Sequence, residues 1–536
     1  MQKLIALFLM IFCLMMARMA VTAEAPFRAY EGLLIEEIRF EGIKDVADDI
    51  LCGVLLFGEG DGLNVKDLEE SRLALLGLGK FNKAEVEVEQ GQQGLVVTFK
   101  VQEKWYVMSV PGTKTQPRSR YACKAKPSAL DLVNMEGLPI EEIRFEGNRT
   151  TREIILREEL FFEEGDSFSR ESMVKSRQSI QNLSLFKIVE ARAERGETGV
   201  IVTFSVVEKW YILPIPRLGR NADGDISYGG ELRWDNALGL NQQIKLVAEQ
   251  EDQADGETEQ RTFLEYAIAK IPRTPYGVRT KIERKRILTS SKDDTGNTLG
   301  QYYAYTDTFN LSVSRWLKRT APSQGWQGAV GMTWDRDYSS AESGTPELPD
   351  DHRQLSLGAS GGFTAINDKE FYRAGQEFGG GFSFGRERLG SEENFYNLGA
   401  FWRRFKPIHV PIWSNVNFQF RAGFNHGQVD HFELGGSSTM RGILEQDSLN
   451  GDVFALLNVE WLIPQPKYPA LRWNIFTDIG NAWPRQEVNI LRWEKTVGVG
   501  ARWKIRTFVN TSLRLDIGYN PSTGDYKVYA GTNQMF

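Results

Sequence analysis

Two periodicities divide the chain. Up to about residue 211, short runs with apolar residues at every second position alternate with runs at helical spacing; beyond Ile212 the two-residue period dominates. Ile35, Ile38 and Phe40 open an alternating strand closed by Gly42. A helix is predicted around Asp45 to Leu55. A second is predicted over Asn64 to Leu78, where Leu68, Leu75 and Leu78 fall at helical spacing. Two strands follow, Ala84 to Glu89 and Leu95 to Gln102, the latter alternating through Leu95, Val97, Phe99 and Val101. The order is β-α-α-β-β.

The same order then recurs. Ile35-Glu36-Glu37-Ile38-Arg39-Phe40-Glu41-Gly42 returns as Ile140-Glu141-Glu142-Ile143-Arg144-Phe145-Glu146-Gly147, an offset of 105 that carries Gly60 to Gly165, Phe81 to Phe186, Phe99 to Phe204, Glu103 to Glu208 and Trp105-Tyr106 to Trp210-Tyr211. A constant offset over a whole unit means duplication without insertions. Asn64 and Ser169 are the expected N-caps of the second helix in each copy. The units span residues 34–106 and 138–211, and residues 107–137, rich in Lys, Arg, Ser and Pro, read as a linker. This layout, with its Gly, Leu and Phe positions, resembles the polypeptide-transport-associated (POTRA) domain. The resemblance implies an open sheet edge onto which extended clients dock by strand addition.

From residue 212 to 536 the alternation separates charge from grease. Ile226, Tyr228, Leu232 and Trp234 share one face, against Ser227, Glu231 and Arg233. Val497, Val499, Ala501, Trp503 and Ile505 alternate with Gly498, Gly500, Arg502, Lys504 and Arg506; Leu513, Leu515, Ile517 and Tyr519 alternate with Arg514, Asp516 and Gly518. A soluble sandwich would turn the apolar face inward, whereas a membrane barrel turns it to lipid and encloses the charges in a wet lumen. Runs of 9 to 14 residues favour the barrel, because sandwich strands are typically ~5–6 residues. Fifteen runs are clear. An even count at roughly 20 residues per strand and connection predicts an antiparallel barrel of sixteen, with the hidden strand between Tyr276 and Phe382, a first strand at Ile226 to Trp234 and a last at Asp525 to Phe536. Phe536 ends the chain in parity with Tyr526 and Val528, like the terminal assembly signal of bacterial outer-membrane barrels, although Gln534 stands where an aromatic is frequent.

Export fits this picture. Lys3 precedes the apolar run Leu4 to Met16, and small residues follow at Val21-Thr22-Ala23, predicting a signal peptide over residues 1–23. The run is short of the ~20 residues a spanning helix needs. Cys13 follows Phe12, where lipid attachment wants a small residue. Cys52 and Cys123 then remain, either bridged in the oxidising compartment or present as a small buried thiol and a free one. A net charge of −7 argues against a nucleic-acid partner. The four histidines, His352, His409, His426 and His431, show no zinc-ligand spacing, and no phosphate-cradling loop is present; neither metal nor cofactor nor covalent chemistry is expected.

One constellation stands apart. His431-Phe432-Glu433-Leu434-Gly435-Gly436-Ser437-Ser438-Thr439-Met440-Arg441-Gly442-Ile443 lies between two strands, followed by Asn458-Val459-Glu460 and Phe476-Thr477-Asp478-Ile479-Gly480 in the next two. By parity Glu460 and Asp478 both face the lumen, where a long loop carrying Arg441 can fold inward to meet them. The planar guanidinium bonds carboxylates in pairs. With the duplicated domains and the terminal Phe, the sequence resembles the BamA/TamA superfamily of outer-membrane assembly and translocation proteins (bacterial surface antigens) over essentially the whole mature chain. The resemblance implies an inward loop whose Arg441-Gly442 contacts Glu460 and Asp478, with Gly435 and Gly436 in the same loop. Ile443 stands where that family usually has Phe or Tyr.

The implied function is non-enzymatic. Periplasmic domains dock unfolded outer-membrane or secreted proteins, with outer-membrane lipids and accessory periplasmic or lipoprotein subunits as further partners. A weakly paired seam between first and last strands then opens to let an inserting strand find a hydrogen-bonding edge. Two alternatives stand beside it. One is a two-partner secretion pore for one exoprotein, disfavoured because about ten residues ahead of Leu34 make a ~15 Å helix, too short to plug a band ~25 Å tall. The other is a non-translocating pore or surface antigen.

Overall fold

The computed structural model describes residues 27–43, 51, 55, 57–59, 61–77, 81–92, 94–103, 135–220, 226–252, 258–293, 297–369, 371–408, 414–427, 431–443, 448–465 and 468–532. The predicted signal peptide, Cys52, Cys123, nearly all of the 107–137 linker and Phe536 lie outside them.

Each N-terminal unit folds as a three-stranded sheet backed by helix. The first has β1 (Ile35–Glu41), α1 (Val65–Gly77), β2 (Phe81–Gln90) and β3 (Leu95–Glu103). The second has β4 (Ile140–Glu146), α2 (Glu153–Arg157), α3 (Arg170–Asn182), β5 (Phe186–Arg195) and β6 (Val200–Glu208). The sheet orders are β1-β3-β2 and β4-β6-β5, so the last strand is central and β2 and β5 are the edges without a strand partner among the described residues, while outward amides of β1 and β4 are taken by Glu59 and Asp61 and by Glu164 and Asp166. The duplication extends to side-chain geometry. Phe99 stacks on Phe40 and Phe57 at 5.5 and 6.2 Å; Phe204 stacks on Phe145 and Phe162 at 5.9 and 6.3 Å. Gly42 and Gly147 hold φ of +87° and +84°, and a Cβ on either would lie 2.0 Å from the carbonyl oxygen of Val101 or Val206. Only glycine fits there.

The expected N-caps differ between the copies. Asn64 Oδ1 accepts the amide of Asp67 at 3.3 Å, whereas Ser169 makes no capping bond. In both copies an upstream glutamate takes the first helical amide instead: Glu31 that of Val65 at 2.9 Å, Glu136 that of Arg170 at 3.1 Å.

Beyond residue 211 one sixteen-stranded antiparallel sheet forms the barrel. Its first eleven strands are β7 (Ile212–Arg220), β8 (Ile226–Ala237), β9 (Gln242–Asp252), β10 (Thr258–Ile268), β11 (Tyr276–Lys292), β12 (Thr298–Ala321), β13 (Gln324–Gly344), β14 (His352–Asp368), β15 (Arg373–Gly385), β16 (Phe395–Ile408) and β17 (Ser414–His426). A small hairpin, β18 (Phe432–Leu434) with β19 (Leu449–Gly451), interrupts the wall. It resumes with β20 (Val453–Gln465), β21 (Tyr468–Trp483), β22 (Glu494–Lys504), β23 (Ser512–Tyr519) and β24 (Tyr526–Thr532). Every strand pairs with the next in sequence, except that β17 pairs with β20 across the hairpin.

Two expectations need correction. The first wall strand is Ile212–Arg220, not Ile226–Trp234, and it brings the wall to sixteen from outside the 276–382 stretch in which the run count places the hidden strand. Pro214 and Pro216 disguise it: proline lacks the amide a central strand needs, but an edge strand tolerates it. The strands also run longer than read, reaching 24 residues in β12 and 21 in β13, because polar extensions above the apolar band stay laddered.

Burial decides between sandwich and membrane barrel. Large apolar side chains stand exposed on the outer face: Ile282 is 57% accessible, Val330 62% and Trp503 55%. Meanwhile Asn417, Gln419, Asn458, Glu460, Asn474, Asp478, Arg502 and Asp516 are buried on the inner one. A water-soluble domain has the reverse distribution.

The second repeat sits against the strand turns at one end of the barrel. Arg152 donates to Gly239 and Leu238, Lys270 pairs with Glu158 at 2.8 Å, Ser323 Oγ donates to Glu159 at 2.7 Å, and Ser184 Oγ donates to Asp368 at 2.5 Å. Trp210 donates its amide to Thr507 at 2.8 Å and meets Phe508 edge-on. That end is therefore the periplasmic one, and the β18–β19 segment enters from the opposite end.

Candidate functional site

The stretch from Gly427 to Asp452 leaves the wall after β17 and returns before β20, and its tip descends into the lumen. Two glycines allow the reversal. Gly436 and Gly442 hold φ of +76° and +106°, a region other residues rarely take. Gly435 donates its amide to Thr439 Oγ1 at 2.8 Å, and Gly436 donates to the Ile443 carbonyl at 2.8 Å, which closes the tip on itself. Three consecutive tip carbonyls are then taken by the wall: Ser437 by Arg514 (3.0 Å), Ser438 by Arg421 (2.9 Å) and Thr439 by Asn458 (2.9 Å).

Arg441 is fully buried at the bottom of this tip. Its Nε and Nη2 donate to the two oxygens of Asp478 at 2.9 and 2.8 Å, and its amide adds a bond to Asp478 Oδ2 at 3.0 Å. Nη1 reaches Glu460 Oε1 at 2.5 Å and Asp516 Oδ2 at 3.5 Å. The guanidinium carbon lies 3.5 Å from the ring centre of Phe476, so the cation is also stacked. Glu460 and Asp478, set on the inner face by parity, and Arg441, which the family resemblance puts in the inward loop, are thus in direct contact.

Sequence reasoning placed Arg502 and Asp516 on the inner face without joining them to this group. Arg502 bonds Glu460 Oε1 at 2.7 Å and takes Asp516 bidentately at 2.6 and 3.0 Å. Two guanidiniums and three carboxylates share one buried cluster. Burying that many charges is sustainable only when each is paired and hydrogen-bonded; Asn474 contributes a further donor to Glu460 at 3.0 Å and Asn458 one to Asp478 at 2.8 Å. Tyr529 of β24, also missed, accepts the Gly442 amide at 3.0 Å and donates to the Ile443 carbonyl at 3.1 Å. Ile443 itself packs with Leu434, Met440, Leu456 and Ala482.

The signal that could have found the remaining members is glycine. A Cβ on Gly518 would lie 2.7 Å from the Arg441 carbonyl carbon, one on Gly500 2.1 Å from Asp516 Oδ1, and one on Gly498 2.2 Å from the Phe476 ring. These inner-face glycines form a notch the width of a backbone.

Three donors converge on Glu460 Oε1, whereas the buried Glu460 Oε2 has no hydrogen-bond partner among the described residues. Among the described residues no set of three or more His, Cys, Asp or Glu is placed to hold a metal ion. The cluster's contacts join the loop tip to β20, β21, β23 and β24.

At the ends of the sheet, β7 and β24 have no ladder between them among the described residues. The gap is bridged at the periplasmic side by side chains. Arg233 of β8 donates to the Val509 carbonyl and to Thr511 Oγ1, beside the contact of Trp210 with Thr507.

Comparison with known proteins agrees with this architecture. The surface antigen variable number repeat (POTRA) matches residues 33–104 and 138–209, and the Omp85 superfamily domain matches residues 236–531. Among solved structures, CdiB from Escherichia coli is 14% identical, with 96% of this chain and 93% of that one covered and a TM-score of 0.53. CdiB from Acinetobacter baumannii is 12% identical over 95% and 90%, with a TM-score of 0.51. BamA from Haemophilus ducreyi lacking POTRA domains 1–3 is 15% identical over 93% and 100%, with a TM-score of 0.45. At such identities the two CdiB structures speak to the fold alone. The chain belongs to the Omp85 superfamily, and is a non-enzymatic outer-membrane β-barrel protein of the insertion or translocation type with two periplasmic POTRA domains.

Proposed function

We propose that the chain docks unfolded clients through its POTRA domains and assists their insertion into the outer membrane by opening the seam between β7 and β24. The observation that carries this is the seam. A barrel in lipid normally satisfies every backbone group, because an unpaired amide in hydrocarbon costs several kcal/mol. Here the two terminal strands have no ladder between them among the described residues, and Pro214 and Pro216 remove two donors from a single edge of β7, since hydrogen-bonding direction alternates along a strand. Proline's usual place in a sheet puts that edge on the open side. An incoming strand would find an acceptor-rich edge that β24 does not occupy. The free outer strands β2 and β5 of the POTRA sheets supply the corresponding docking edges below.

The test is a cysteine pair placed across β7 and β24. When oxidised, the barrel should still show heat-modifiable migration, while insertion of a model outer-membrane protein into liposomes stops and returns on reduction. Full insertion by the locked form would refute the seam mechanism. Crosslinkers carried at positions on β2 and β5 should capture the unfolded client; their silence while insertion proceeds would remove the docking role.

A further inference from the structure

The outer face of β11 to β14 changes character between two adjacent rows of the ladder. In the lower row Ile282 pairs with Phe309, Phe309 with Trp334 and Trp334 with Leu355, an unbroken apolar line. Two residues further from the periplasm Arg284 pairs with Asp307, Asp307 with Arg336 and Arg336 with Arg353. Cross-strand partners share a face and side chains alternate with period two, so this row points outward with exposed Ile282 and Trp334. Above it come Arg286, Tyr305 and Tyr338, again in register.

The height of the row matters. At ~3.3 Å per residue and a tilt of about 40°, Arg284 stands about 20 Å and Arg336 about 30 Å above the periplasmic starts of their strands. They bracket the outer margin of an apolar band ~25 Å tall. The guanidiniums therefore lie at the headgroup level of the outer leaflet, directly over acyl-facing Ile282, Phe309, Trp334 and Leu355.

Charge is left over there. Arg284 takes the row's one carboxylate, Asp307, with both nitrogens at 2.6 and 2.7 Å. Arg336 lies across the ladder from Asp307 and feels its charge, but its one ion-pair contact among the described residues is a long one to Asp351 at 3.4 Å, and its buried Nε has no hydrogen-bond partner there. Arg353, exposed, sits directly opposite Arg336. Like charges in that position repel, and an anion between them removes the penalty. Guanidinium pairs hold phosphate in bidentate fashion. Around the gap, Arg286 lies 4.6 Å over Tyr303 and Arg336 4.9 Å over Tyr338, while Tyr305 stacks on Tyr338 at 4.8 Å. These are flat amphipathic surfaces of the kind that settle at a membrane interface.

We propose that this row is a binding site for a phosphorylated glycolipid of the outer leaflet. A headgroup phosphate lies between Arg336 and Arg353, the sugar rests on the tyrosines, and the acyl chains run down the apolar row below. A glycolipid, rather than an acidic protein segment, fits because the charged row is continuous with surface that only lipid covers.

The test uses the full chain in detergent micelles, with binding of bisphosphorylated lipid A followed by native mass spectrometry and titration. Wild type should bind it about tenfold more tightly than the dephosphorylated lipid, the scale of one charge-assisted contact. Arg336→Gln with Arg353→Gln should abolish that difference. Arg404→Gln, on the same outer face near the periplasmic end, should preserve it. Heat-modifiable migration reports folding of each variant, and Arg336→Lys with Arg353→Lys, which keeps the charge, should retain part of the preference. Equal binding of the phosphorylated and dephosphorylated lipids by wild type, or an undiminished preference in the double Gln variant, would overturn the proposal. So would complete displacement by an equimolar amount of inorganic phosphate, which would mark a free-anion site instead.

Discussion

Arg441 and Asp478 form a three-point contact: two guanidinium nitrogens and the arginine's own amide converge on one carboxylate at 2.8 to 3.0 Å. Side chain and backbone of the loop are thereby fixed together. Replacing Arg441 by Ala leaves three carboxylates against Arg502 alone in a buried site, and breaking such a pair costs about 3–5 kcal/mol. The loop should leave the lumen and become cleavable by protease added from outside. Arg441→Lys should not restore protection, since an ammonium cannot serve Asp478 and Glu460 in one plane. An unchanged protease pattern in Arg441→Ala would show that the tip is held by its carbonyl contacts to Arg421, Asn458 and Arg514.

A second substitution separates space from charge. Gly518→Val keeps every ion pair but places carbon where the Arg441 and Gly442 backbone passes. It should expel the loop as effectively as Arg441→Ala while the wall stays folded. Protection of the loop in that variant would mean that the backbone at Arg441 and Gly442 can shift to admit a side chain at position 518.

These two residues also show what the sequence makes legible. Parity alone sets Glu460, Asp478, Arg502 and Asp516 on one face, because a strand alternates whatever its neighbours are. It does not give height along the barrel, which depends on register; Asn458 lies opposite Asp478, and Gly500 opposite Asp516, only once the ladder is known. Arg441 stands in the Arg-Gly loop signature that carries the family resemblance, whereas Arg502, a strand arginine, has no such marker. The strand Ile212–Arg220 was lost for a related reason: its prolines contradict the average strand and make sense only at an edge.

The edge makes its own prediction. Pro214→Val with Pro216→Val restores two donors to β7 and should allow part of a ladder to β24. Each net hydrogen bond contributes about 1 kcal/mol, so the barrel should resist heat unfolding more strongly while client insertion slows. Faster insertion in the double variant would contradict a seam that works by staying open.

At the POTRA–barrel junction, burial holds the Glu159 carboxyl above its ordinary value, partly offset by bonds from Ser179 and Ser323 and the nearby Lys270. An acid whose pKa is raised on folding keeps its proton longer in the folded state. Stability is therefore undiminished below the ordinary carboxylate pKa of about 4.3 and falls as pH rises through the window up to the raised value. Glu159→Gln retains a hydrogen-bonding group without the charge. It should melt higher than wild type at pH 7.5, with the difference closing near pH 4. A lower melting point at pH 7.5 would show that the carboxylate is ionised and needed by Lys270.

Lys209 supplies the opposite slope. Its ammonium is buried beside Lys504 and donates to the Ser184 carbonyl at 2.6 Å, and burial pulls its pKa down to about 7. Below that value both folded and unfolded forms are charged and its destabilising contribution is constant. Between about 7 and the ordinary lysine value of about 10.4, only the unfolded form holds the proton, so raising pH stabilises the junction, by about 2 kcal/mol from pH 7 to 9. The amide of Trp210, which donates to Thr507 across the same junction, reports this directly. Its hydrogen-exchange protection, corrected for the intrinsic rate, should rise over that interval in wild type and stay flat in Lys209→Met. A flat wild-type profile would mean that Lys209 keeps its charge in the folded protein, with Asp368 compensating for burial.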